Sequence, residues 1–145
     1  MNEQDNHGLA DSRRSAHGWA RLLLVLVVIA AAVFAWMAVV GSTTMFQSER
    51  LATAVISVIA AAAWVAMAAG LIHNGRKMRR VAIGTATANT VMPFVTLAVS
   101  DFPIDKWSPW HDGGVSYWYV PTVLAALSIA WLYHSSPARL ARRNG

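Results

Sequence analysis

The sequence predicts an all-α polytopic membrane protein, with four transmembrane helices in an antiparallel up-down bundle and both termini inside. Three observations predict it. Four apolar stretches run at about 19–41, 51–73, 80–100 and 117–134, each close to the ~20 residues that cross a hydrocarbon core about 30 Å thick. The 145-residue chain is 56% hydrophobic and 13% charged, where a soluble domain carries about 25% charged residues. A soluble chain of this size has room for one core and cannot hide so much apolar surface. The third observation is the sorting of the basic residues.

Arg13, Arg14 and Arg21 precede the first stretch, Arg76, Lys77, Arg79 and Arg80 separate the second from the third, and Arg139, Arg142 and Arg143 follow the fourth. Of the twelve Lys and Arg, only Arg50 and Lys106 fall on the other side, in the company of Glu49, Asp101, Asp105 and Asp112. Because Lys and Arg near a span are retained in the cytoplasm, both termini and the turn from Asn74 to Arg79 are expected inside. The formal charge of +5 then reads as a topology signal. No nucleic-acid partner is expected.

Residues 1–17 are polar, mixed in charge and without apolar periodicity, and are expected to form a disordered cytoplasmic tail. Residues 18–135 form the membrane domain, and residues 136–145 form a short basic cytoplasmic tail suited to anionic headgroups. The apolar run Leu22 to Val40 exceeds the ~7 to 15 residues of a signal-peptide core and no small-x-small cleavage site follows it, so it is read as an uncleaved anchor.

The second stretch supplies small residues. Ala62, Ala66 and Gly70 recur every fourth position, which places them on one side of a helix as a candidate packing face. In lipid such faces let helix backbones approach closely, within one chain or between chains. The first stretch has a similar alanine-rich middle at Ala30 to Ala32, Ala35 and Ala38.

The third stretch is the polar one. Thr85, Asn89, Thr96 and Ser100 project onto a narrow arc at about 100° per residue, and Pro93 stands beside them. The proline frees the Asn89 carbonyl from its intrahelical partner, and an unsatisfied carbonyl in hydrocarbon is costly. This face should therefore point into the bundle. Thr85, Asn89, Pro93 and Thr96 are either a kinked helix held by interhelical hydrogen bonds or a small polar pocket for a ligand or solute.

The fourth stretch opens on Tyr117, Trp118 and Tyr119, with Pro121 tolerated in a first turn beginning near Tyr117. Its aromatic residues, with Trp107 and Trp110 from the preceding loop, mark the outer interface, and Trp19 and Trp131 mark the inner one. Trp36 and Trp64 lie deeper, in lipid-facing or packing roles. The loop from Ser100 to Ser116 contains Asp101, Asp105, His111 and Asp112 among prolines and glycines. It lacks the ligand spacing of a metal site and reads as a structured cap, or as a surface offered to a partner through Trp107 and Trp110.

His73 and His134 fall at inner helix ends. A histidine there interacts favourably with the helix dipole, whereas a haem would need its ligands deeper in the hydrocarbon. No cofactor is expected. The absence of cysteine excludes thiol–disulfide chemistry. No Asp or Glu lies inside a span, unlike the embedded glutamate of small multidrug-resistance antiporters, and the charge bias argues against a dual-topology dimer. The intramembrane Ser57 and Ser128 have no histidine at comparable depth to act as base, so no enzymatic activity is expected.

The run Gly70 to Ala82, GLIHNGRKMRRVA, and the fourth stretch ending Trp131 to Arg139, WLYHSSPAR, resemble the small four-span membrane proteins of unknown function common in high-GC actinobacterial genomes. The resemblance spans all four stretches, implies a plasma-membrane location and brings no catalytic residues. Two functions stay open: a non-catalytic accessory or interaction subunit with a membrane-protein partner or a second copy of itself, and a small transporter, channel or ligand sensor centred on Asn89 and Pro93.

Overall fold

A computed structural model describes the backbone of residues 4–73 and 75–135, with side chains from residue 18 onward. The predicted basic tail at 136–145 lies outside the described residues. Every regular element is helical: α1 Gln4–Gln47, α2 Leu51–His73, α3 Arg76–Ala98, a 3₁₀ segment His111–Tyr117 and α4 Val120–His134. Three stretches, Gly18–Gln47, α2 and α3, are long and apolar enough to cross a membrane, and the bent pair of the 3₁₀ segment with α4 makes up to a fourth.

The first helix is longer than its apolar stretch at both ends. It begins at Gln4, so helical backbone runs through most of the segment expected to be disordered. Extending an existing helix costs far less than nucleating one, and no proline interrupts residues 4–17. At the other end, Ser42, Thr43 and Ser48 return their hydroxyl protons to carbonyls of the preceding turn, at 3.0, 2.7 and 3.1 Å. That lets polar residues continue the helix past Gly41. It stops where Glu49 takes a left-handed conformation at φ 59°. The Arg50 N–H bonds the Met45 carbonyl at 3.0 Å and the Glu49 N–H bonds Phe46 at 3.4 Å, the paired bonds of a Schellman ending.

α3 starts at Arg76, earlier than expected, because Gly75 in extended conformation precedes it, and it ends at Ala98 where Val99 becomes extended. Ser100 therefore leaves the polar stripe and is exposed. The larger correction is in the fourth stretch. Trp118 and Tyr119 both adopt left-handed conformations, at φ 56° and 59°, so α4 begins at Val120 instead of Tyr117, with Pro121 in its first turn as expected. Its 15 residues extend about 22 Å at 1.5 Å per residue, short of a bilayer core. The 3₁₀ segment meets it at 104° and packs on both α3 and α4. Gly114, at φ 88° with Thr122 Oγ1 3.0 Å from where a Cβ would stand, is needed at that fold.

Adjacent elements pack in sequence: α1 on α2, α2 on α3, α3 on α4 and on the 3₁₀ segment, with α1 also touching α4. Leu23, Val27, Ala31 and Phe34 form the buried stripe of α1, facing Trp64, Met67, Ala68 and Leu71 of α2. Ala82 and Ala86 of α3, and Leu124, Ala125 and Leu132 of α4, complete the core. Bulky Val, Ile and Leu side chains cover the outside, as a lipid solvent permits. Trp36 is among these exposed side chains and Trp64 is fully buried.

Gly70 sets the α2–α3 spacing. A Cβ there would stand 2.7 Å from the Ala82 Cβ and 2.8 Å from the Met78 carbonyl, which no side chain tolerates. Replacing Gly70 by Leu is expected to cost about 1–3 kcal/mol through overpacking. Gly84→Ala, with nothing within 4 Å of the new methyl, should be neutral or slightly stabilising; thermal unfolding in detergent distinguishes the two.

Candidate functional site

The polar stripe of α3 and the tryptophan of the loop, far apart along the chain, form one unit. Asn89, Pro93 and Thr96 are buried as expected, and Thr85 is half-buried, its hydroxyl donating to its own helix at the Val81 carbonyl, 2.7 Å away. The Asn89 side chain does not open onto a pocket. Its carbonyl oxygen accepts a 3.0 Å bond from Trp110 Nε1, and its amide faces Met67 Sδ at 3.9 Å. With Asn89 at 1% exposure and Met67 at 0%, the space is filled by protein.

The loop that delivers Trp110 is fixed at several further points. Thr96 Oγ1 lies 2.9 Å from the Pro93 carbonyl and also contacts the Trp110 carbonyl. Its single proton donates to one of them at a time. Tyr117 donates to the Trp107 carbonyl at 2.7 Å and meets Met37 Sδ at 3.0 Å. The Tyr117 ring stands edge-on to Phe34 at 5.2 Å, and Phe34 lies 5.2 Å from Trp64, so α1, α2 and the 3₁₀ segment share one aromatic contact of favourable geometry. Trp110 is 5% exposed and is no docking surface, which corrects the expectation for it. Of the predicted pair, Trp107 alone remains outside, with Lys106 Nζ 5.2 Å from its ring centroid.

The predicted packing face also divides. A row of residues four apart turns by about 40° per step around a helix of 3.6 residues per turn, so Gly70 faces α3 while Ala62 is exposed and Ala66 half-buried. Ala62 and Ala66 border a groove of about 420 Å³ on the outside of α1 and α2, whose other walls include Ala35, Ala38, Ala61 and Ala69.

At the opposite end of the helices the histidines stay local. His73 Nδ1 lies 3.0 Å from the Ala69 carbonyl and His134 Nδ1 lies 2.9 Å from Ala130, each facing the last turn of its own helix. Arg79, legible only as a topology charge, also acts within the fold. Its guanidinium donates to the Leu132 and Ser135 carbonyls and so covers the negative end of α4. His111 and Asp112 stand 3.6 Å apart in the loop. Among the described residues no three potential metal-ligating side chains converge.

Comparison with protein-family models, curated proteins and solved structures finds no match to this chain.

Removing the indole N–H leaves the buried Asn89 oxygen without its donor, so Trp110→Phe should destabilise by about 1–3 kcal/mol. In a cycle with Asn89→Leu, the double variant should lose clearly less than the sum of the two single losses. Thermal unfolding of the four proteins in one detergent measures the coupling.

Proposed function

We propose that this chain is a non-catalytic plasma-membrane protein, four helices in an antiparallel bundle with both termini cytoplasmic, that acts by associating with another membrane protein or with a second copy of itself. The observation that carries this reading is the alanine-walled groove between α1 and α2. Six alanines line it, with Val39, Val58 and Val65 among them, on a surface that elsewhere is mostly Val, Leu and Ile. Small residues allow a second helix backbone to approach closely, which is how helices associate where lipid removes the hydrophobic driving force. The bordering Ser42 adds a hydroxyl.

The alternative, a solute path or sensor at Asn89 and Pro93, has less support, because the space it requires holds the Trp110 indole and the Met67 side chain. Orientation rests on the basic end: Arg76, Lys77, Arg79 and Arg80 cluster at the α2–α3 turn, and such clusters are retained inside.

The association is tested by mild-detergent extraction followed by native mass spectrometry. A stoichiometric membrane protein or a dimer of the chain is expected, and Ala62→Phe together with Ala66→Leu should weaken it about tenfold or more without changing helix content. A chain that stays alone in detergent and in bilayers contradicts the reading. For orientation, a phosphatase reporter joined after Gly145 should be inactive and one inserted after Ser116 active; the reverse pattern overturns the assignment.

A further inference from the structure

A second cavity, of about 470 Å³, lies at the loop end of α1, between Trp36, Met37, Val40, Met45, Arg50, Asp105 and Trp107. It falls within the size range of small-molecule sites, about 300–1,000 Å³. Its walls are mostly apolar and aromatic, with the hydroxyls of Thr44 and Ser48 engaged by backbone carbonyls of α1, and its charges are one guanidinium and one carboxylate. Arg50 and Asp105 border the same space without bridging each other, the ion pair among the described residues being His111–Asp112.

Behind it lies an annex of about 10 Å³, which shares Met37, Met45, Asp105 and Trp107 with the larger cavity and ends at Ser57. An annex of that size has room for about one water. Ser57 is only 7% exposed, and its hydroxyl has no hydrogen-bond partner. Intrahelical bonding is the ordinary refuge of a serine or threonine in a membrane helix, and Thr85, Thr87, Thr90 and Ser128 all use it, each donating to the carbonyl four residues back. Ser57 does not. Burying a hydroxyl unpaired is costly, so its partner comes from the annex it borders.

We propose that this cavity binds a zwitterionic phospholipid, with the phosphate at Arg50, the head-group ammonium at Asp105 and one acyl chain leaving along Trp36 and Val40. Guanidinium pairs well with phosphate oxygens, and Asp105 repels a purely anionic head while Arg50 repels a cationic one. A neutral head leaves both charges unanswered. Ser57 reaches the ester oxygens through a water in the annex. The cavity takes the head and the start of one chain, and the rest of the lipid lies in the bilayer against the exposed face of Trp36.

The test uses the full chain, purified in mild detergent and delipidated, and titrated by native mass spectrometry with phosphatidylethanolamine, phosphatidylglycerol, diacylglycerol or soluble glycerophosphoethanolamine. One phosphatidylethanolamine should be retained about tenfold more tightly than any of the other three. Arg50→Gln and Asp105→Asn should each lower that retention about tenfold, and Gly41→Leu, which fills the cavity wall, should lower it without altering charge. Lys106→Gln, outside the cavity, should leave it unchanged. Equal retention of the three lipids, a preference for phosphatidylglycerol, binding of the soluble head group as tight as the lipid, or parental binding by both charge variants overturns the proposal.

Discussion

A polar group surrounded by lipid has to find its partner within the protein, and the bond between Asn89 and Trp110 is where this constraint organises the molecule. Asn89 sits inside α3, near the proline that weakens that helix, and its side-chain oxygen would be costly to leave alone. The donor comes from a residue 21 positions later, in the part of the loop, Ser108 to Trp110, that is buried, beside an α4 too short to cross the membrane unaided. The short helix, the loop folded into the bundle and the satisfied amide are three consequences of one arrangement. Thr96 and Tyr117 hold the same loop at its two sides, and the left-handed conformations of Asp112, Trp118 and Tyr119 are backbone strain that the fold accommodates.

The helical class and the positions of the spans were legible because lipid removes most alternatives: an apolar run of about 20 residues has few structures available. The burial of Asn89, Pro93 and Thr96 followed from the same logic, since a polar arc in an apolar helix has to face inward. The partner of Asn89 was not legible. Trp110 sits among prolines and acidic residues in a stretch that reads as an external cap, and no local periodicity reports a contact so distant in sequence. The start of α4 was misplaced for a related reason: Tyr117, Trp118 and Tyr119 have ordinary helix-compatible composition, and tertiary contacts of the loop put the last two in left-handed conformations. Among Ala62, Ala66 and Gly70, four-residue spacing identified small residues correctly, but the slow rotation of that row around the helix sends Gly70 to α3 and the two alanines outward.

The two ends of the molecule differ in how they treat charge. At the basic end Arg79 and the histidines serve helix termini, which accounts for residues that would otherwise suggest ligands. At the loop end Arg50 and Asp105 border a cavity without bridging each other, and Ser57 lacks the intrahelical bond that Thr85, Thr87, Thr90 and Ser128 make. Arg50, Asp105 and Ser57 thus border one cavity at the loop end, while the alanine-rich groove lies along α1 and α2. These two features, on the outside of the helices, are the ones on which the proposed lipid site and the proposed helix association rest.

The Asn89–Trp110 bond is expected to hold the buried part of the loop against the bundle. Because the chain has no cysteine, single cysteines at Ser108, which is buried, and Ser116, which is exposed, can report the loop's position through their rates of labelling by a membrane-impermeant maleimide. Ser116→Cys should label rapidly and Ser108→Cys at least about tenfold more slowly, as a local opening cost of about 1.4 kcal/mol or more requires. Adding Asn89→Leu should bring the Ser108→Cys rate up toward that of Ser116→Cys. Equal rates at the two positions in the parent chain, or protection of Ser108→Cys that survives the loss of Asn89, would contradict the claim.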